Sequence, residues 1–234
     1  MHKSRDTIGI LASIYNWQEN LKSEMHTVLL PTSYLPPLQY FSKLINYPEI
    51  SIELYEHFPK QTWRNRCNIC GANGELSLII PLQKGNEKII TKDIKISYDQ
   101  QWQKLHWRSF EAAYRSSPFF EFYEDHFAPY YHDKKFEFLI DLNNELLTLL
   151  FKLLKMKKEI AYTKEYFRSP VDTDDLRTLI SPKKELTEDK NFEVLPYSQV
   201  FENRTGFIPN LSIVDLLFNQ GPQSLDFICK LSDK

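Results

Sequence analysis

The stretch VLLPTSYLPPLQYFSKLINYPEISIELY, residues 28–55, decides the fold. Val28 to Leu30 reads as a strand running into Pro31. The Tyr34-Leu35-Pro36-Pro37 turn hands over to a helix over about Pro37 to Leu44, with proline in the first turn, where no N–H is needed. Ile50, Ile52 and Leu54 then alternate with Ser51, Glu53 and Tyr55, a period of two that makes a strand with one wetter face. Strand, helix and strand in close succession predict parallel pairing. The fold class expected is α/β, a single layered domain with a mainly parallel or mixed sheet flanked by helices, with α+β as the alternative.

Outward from this unit, Leu76 to Pro81 is a near-continuous apolar run ending in proline, as a buried strand would be, and Asp93 to Ser97 alternates as a shorter strand nearer an edge. From Gln101 the pattern turns helical, breaks at Pro118, and resumes through Phe119, Phe120, Phe122, Tyr123 and Phe127 to Pro129, an aromatic density that means core. A helix over about Lys134 to Lys155 lines Leu139, Leu142, Leu146 and Leu153 along one stripe. Residues 163–190, rich in charge, Ser, Thr and Pro, read as a long mobile loop with one helical turn around Asp174 to Leu179. Ser212 caps a further helix, Asp215 stands three residues on in a near capping box, and Gly221-Pro222 stops that helix and starts another.

At 234 residues and 42% hydrophobic, the chain can bury one large core, so residues 25–234 are expected as one domain. Residues 1–24 are then an N-terminal extension, disordered, laid on the surface as a short helix, or upstream of a true start at Met25. Lysine and arginine total 29 against 31 acidic residues, which leaves no basic field for nucleic acid. Three cysteines, an odd count, fit a reducing cytoplasm and no disulfide framework. Cys67 and Cys70 form one C-x-x-C with no second pair, half a zinc site, so neither metal nor other cofactor is expected. The apolar run Leu146 to Leu154 is too short and too interrupted to span a membrane. Lys3 and Arg5 before Ile8 to Tyr15 imitate a signal peptide, but Asp6 intrudes and no A-x-A site follows, so a cytoplasmic location is expected.

Gln61-Thr62-Trp63-Arg64-Asn65-Arg66 places two guanidiniums, an amide and an indole within six residues. Each guanidinium holds its charge and presents a planar fork matched to carboxylate or phosphate, so Arg64 and Arg66 suit an anionic ligand; a solvated turn is the plain alternative. The Thr32 to Pro36 loop follows the first strand, where parallel sheets place their ligands, and Tyr34 offers a ring and a phenol there. Lys104 and Arg108 lie four apart on one helical face and add to an anion site if that face meets the arginines. His106, on the same turn, is the candidate proton carrier, against the alternative of a hydrogen-bonded core histidine. Asp172-Thr173-Asp174 has metal-binding spacing but reads better as a solvated helix start. Phosphate-loop, dinucleotide, serine-hydrolase and zincin signatures are absent from the sequence.

Four segments, LLPTSYLPPLQYF at 29–41, WRNRCNICGANGELSLIIP at 63–81, WQKLHWRSFEAAYRSSPFFEFY at 102–123 and GFIPNLSIVDLLFNQGP at 206–222, resemble the WbqC-like family in the same order. Members occur with genes for bacterial surface polysaccharide, and glycyl transfer onto an amino sugar of the O-antigen is a role proposed for them. The family motif Q-P-x-Y-L-P-W stands here with Leu30 in place of the glutamine and Pro37 in place of the tryptophan, while Tyr34 and Pro36 match. Arg64, Asn65 and Arg66 match its R-N-R, and His106 its lysine and histidine pair. The resemblance implies a transferase in which His106, Asn65 and Tyr34 carry the chemistry. Arg64, Arg66, Trp63, Lys104 and Arg108 would then bind a nucleotide-linked amino sugar or other anionic small molecule. The alternative is a non-catalytic protein that binds a nucleotide sugar or glycan intermediate and scaffolds the assembly enzymes.

Overall fold

A computed structural model describes residues 27–84 and 88–231, so the expected N-terminal extension lies outside the described residues. In chain order the elements that matter are β1 (Thr27–Pro31), α1 (Leu38–Asn46), β2 (Glu49–Glu53), β3 (Arg66–Gly71), β4 (Gly74–Ile79), α2 (Trp102–Tyr114), α3 (Phe120–His132), α4 (Leu139–Leu154), β5 (Ile160–Tyr162), β6 (Thr173–Asp175), α5 (Glu202–Thr205), α6 (Ile213–Gln220) and α7 (Ser224–Lys230). β1 and β2 pair in parallel with Val28 opposite Ile50 and Leu30 opposite Ile52, as their alternating apolar positions require. β6 joins the other side of β1, and β5 the far side of β2, giving a four-stranded parallel sheet in the order β5-β2-β1-β6. Sheet and flanking helices make an α/β fold.

The β1–α1–β2 unit forms where the sequence places it. Leu38, Phe41 and Leu44 turn one face of α1 into the core. The Lys158 ammonium donates to the Ile45 and Tyr47 carbonyls at 3.2 and 2.9 Å, satisfying groups that the helix end leaves without a partner. The aromatic run also packs as expected. Tyr114, Phe120 and Phe127 surround the ring of Phe218 with centroids 5.0, 5.1 and 5.6 Å away, and so join α2, α3 and α6. Gly221 stops α6 at φ 53°, and a Cβ there would meet the Phe119 ring at 2.5 Å, so no other residue fits.

Three elements differ from expectation. Gly74–Ile79 is not a buried strand of the main sheet. It pairs antiparallel with β3 in a separate hairpin, and of its residues only Leu78 is buried. Residues 93–97 form no strand; Thr91–Asp93 is a short 3-10 turn, and Lys95 and Ile96 make single bridges to Phe138 and Leu82. Residues 163–190 contain β6 in register with β1, and they bury Arg177, Ile180 and Asp189. Two of the charges that make this stretch look like loop are internal partners: Arg177 binds Glu53, and Asp189 accepts from Lys43 at 2.8 Å, with both side chains of the latter pair nearly inaccessible.

Candidate functional site

In an open parallel sheet the carboxyl ends of the strands point at a shared crevice, and here β2 and β6 each end on a carboxylate. β2 ends on Glu53, which is fully buried. Its carboxylate accepts from the Tyr55 N–H at 2.7 Å, the Thr163 hydroxyl at 3.0 Å and Arg177 Nη1 at 2.9 Å. β6 ends on Asp175, whose two oxygens take Arg177 Nε and Nη2 at 2.8 and 2.6 Å in a bidentate fork. Burial works to raise the Asp175 pKa, but the hydrogen bonds and charge of Arg177 outweigh it and hold that carboxyl below its usual value. Arg177 therefore spans the end of β1, tying β2 to β6, and the Tyr166 ring lies 5.0 Å over its guanidinium.

Arg64 reaches the same edge from a 3-10 turn, Trp63–Asn65. That turn is fixed from behind: the Trp63 carbonyl accepts the Tyr34 N–H at 2.9 Å, and the Arg64 carbonyl accepts Asn143 Nδ2 at 2.9 Å from α4. The Arg64 side chain, 2% exposed, donates through Nε to Glu56 Oε1 at 2.7 Å. Burial raises the Glu56 pKa and lowers that of Arg64, with their mutual attraction opposing both shifts. Between these groups lies a cavity of about 300 Å³. The 56–64 stretch lines it with Glu56, His57, Thr62 and Arg64, and the 166–181 stretch with Tyr166 and Arg177 among others. Two guanidiniums stand here against the three carboxylates of Glu53, Glu56 and Asp175, so the site carries no excess of positive charge.

The other residues singled out in the sequence occupy different places. Tyr34 and His106 meet in a buried aromatic cluster, where the Tyr34 hydroxyl lies 2.9 Å from His106 Nδ1 and 2.8 Å from the Tyr131 hydroxyl, with Trp102 edge-on to the imidazole. Burial depresses the His106 pKa from 6.5 to about 4, a hydrogen bond to the Ile79 backbone opposing it, so the ring is neutral at pH 7. Asn65 donates to the Ile80 carbonyl at 2.9 Å and accepts the Ile80 N–H through its own backbone, extending the β3–β4 hairpin. Arg66 is half-buried, and its Nε is buried with no partner. Lys104 and Arg108 are exposed on α2, Arg108 beside a groove of about 270 Å³ under the hairpin turn at Gly71 and Ala72. The structure thus brings Arg64 to the crevice and leaves the others behind it or on another face. Glu53, Glu56, Tyr166, Asp175 and Arg177 were not singled out; the usable signal was the carboxylate of Glu53 at the end of the alternating 50–55 strand.

His106 gives this arrangement a measurable pH dependence. Its folded pKa lies below its free value, so the unfolded chain binds the proton more tightly; the stabilisation is complete above about pH 6.5 and is lost as the pH falls through about 4. Denaturant unfolding at steps across that window should show stability falling with acidity, and His106→Asn, which keeps a polar group that does not titrate, should flatten the slope. An unchanged slope in the variant would assign the acid sensitivity to other groups.

A parallel sheet flanked by helices, with a braced, charged cavity at its carboxyl edge, defines an α/β protein. Within that class, residues 32–190 and 186–227 match the model of the WbqC-like protein family, and the chain belongs to this family. It is 25% identical to an uncharacterized protein of Mycobacterium tuberculosis (strain ATCC 25618 / H37Rv), Rv1507c, over 222 residues that cover 86% of this chain and 96% of the relative. No solved structure matches the chain. Among the described residues no helix is long and apolar enough to cross a membrane.

Proposed function

We propose that the chain is a transferase acting on an amino sugar in bacterial surface-polysaccharide biosynthesis, by glycyl or other acyl transfer, and that the carboxyl-edge cavity is its site. One observation carries the reading: Glu56 is a carboxylate whose proton affinity is raised by burial, held by Arg64, with access to a cavity large enough for a sugar ring. Acyl transfer to an amine needs a base to take the proton from the ammonium, so that nitrogen can attack the acyl carbon as its bond to the leaving group breaks. A carboxylate shifted upward by its surroundings is suited to that exchange. Arg64 keeps Glu56 oriented, and the Tyr34 backbone N–H and Asn143 hold the Trp63–Asn65 turn from behind.

The excess of carboxylate over guanidinium favours the amine-bearing partner over a free anion. Calorimetric titration should therefore show methyl glucosaminide binding the wild-type protein more tightly than methyl glucoside. Glu56→Gln should reduce the glucosaminide affinity about tenfold, the equivalent of losing one charge-assisted hydrogen bond, and leave the glucoside unchanged. Equal binding of the two sugars by the wild type would overturn the assignment of Glu56 to the amine.

A further inference from the structure

We infer that the acceptor is an assembled oligosaccharide of two or more rings, with Tyr166 and Phe167 forming the subsite for the ring next to the reacting one. The inference rests on the amino-sugar reading of the cavity and extends it along the rim. Tyr162, Tyr166 and Phe167 expose 39, 50 and 51% of their surface, an unusual outlay of aromatic area within six residues. They do not hang on a free loop. At one end Thr163 donates its N–H to the Ile52 carbonyl and its hydroxyl to Glu53, both at 3.0 Å. At the other, the Phe167 carbonyl accepts Arg177 Nη2 at 3.0 Å, while the Tyr166 ring lies over the same guanidinium. The ion cluster that frames the cavity therefore also holds the Tyr166 ring, which lines the cavity, and the backbone of Phe167 next to it, while both side chains keep about half of their surface in solvent. A rigid aromatic face offers contact area at little entropic cost, and a pyranose presents a matching face of C–H groups.

Charge decides between a longer glycan and a nucleotide-linked monosaccharide. A diphosphate needs unpaired cations. The guanidiniums that line the cavity, Arg64 and Arg177, are already held by Glu56 and by Glu53 with Asp175. A nucleotide would bring two or more negative charges to a site with none to answer them, whereas a further sugar ring brings none.

Titrating the full chain with glucosamine and with glucosamine extended by one and by two neutral β-linked glucose rings should show affinity rising about tenfold on adding the second ring. Phe167→Ala, at a half-exposed side chain beside the cavity, should remove that gain while leaving glucosamine itself unchanged, whereas Tyr166→Ala, which also strips the cavity lining, should remove the gain and weaken glucosamine as well. Uridine-diphosphate glucosamine should bind no more tightly than methyl glucosaminide. Equal affinity for one ring and two, or a gain from the diphosphate, overturns the inference. If neutral cello-oligosaccharides show the same length dependence and the amine adds nothing, the rim subsite stands and the amino-sugar reading fails. No binding of any saccharide overturns both.

Discussion

Arg177→Met should destabilise the protein by about 3–5 kcal/mol, the cost found when one member of a buried ion pair is removed and the other is left behind. Glu53 is the group left behind. It has no exposed surface, and the remaining donors on it, the Tyr55 N–H and the Thr163 hydroxyl, are neutral. Asp175 is partly solvated and loses less. For a chain of this size the loss lowers the melting temperature by roughly 10 °C. The cavity should fail with it, because the Tyr166 ring and the Phe167 carbonyl both rest on this guanidinium.

The decisive comparison is Arg177→Met combined with Glu53→Leu. If uncompensated buried charge is the cause, removing the second charge should recover much of the stability, while saccharide binding stays lost. A single variant that melts within two degrees of wild type would mean that the Glu53 carboxyl finds water or a proton at negligible cost, and the frame assigned to Arg177 would not exist.

Arg177 also shows where the sequence was legible and where it was not. β1, α1 and β2 are local: their apolar periods and the prolines at 36 and 37 specify them without help from the rest of the chain, and the structure places them within two residues of the reading. β6 is not local. Thr173, Asp174 and Asp175 carry no strand signal, and they pair with β1 because Arg177, two residues on, anchors to Glu53 more than a hundred residues earlier. Polar character in the sequence does not distinguish charge facing water from charge facing an opposite charge. The same limit explains why Arg64 was legible as a site residue while Glu56, eight residues before it, was not: the arginine belongs to a recognisable cluster, and its partner is defined only by the fold. The apolar run at 76–81 failed in the opposite direction, since β3 gives it a hairpin partner and Leu76 and Ile79 face solvent while only Leu78 and Ile80 are buried.

The second large effect lies at Asp215, where a capping box is the expectation and a buried junction is the outcome. Ser212 does cap α6, its hydroxyl accepting the Val214 N–H at 3.5 Å, but the Asp215 side chain points inward. It accepts the Tyr114 hydroxyl from α2 and the Tyr197 hydroxyl, each at 2.7 Å, and so joins α6, α2 and the segment before α5. Asp215→Ala leaves those two phenols, both buried, without their acceptor; at about 1–3 kcal/mol for each unsatisfied group, the loss should reach roughly 3–5 kcal/mol. Asp215→Asn keeps one acceptor oxygen and the shape, so it should cost about half as much. The pH dependence separates charge from shape. Burial raises the Asp215 pKa above 3.8, the tyrosine hydroxyls opposing it, so the folded state holds the proton more tightly than the unfolded chain. Its contribution is greatest below pH 3.8 and is lost as the pH rises through the folded value. The Asn variant has no such proton, and His106, common to both proteins, cancels in the difference. The stability gap between wild type and Asp215→Asn, read from urea unfolding at steps from acid to neutral pH, should therefore narrow as the pH rises. A constant gap would mean that the phenols stabilise the carboxylate as fully as water does, and Asp215 would then act through its hydrogen bonds alone.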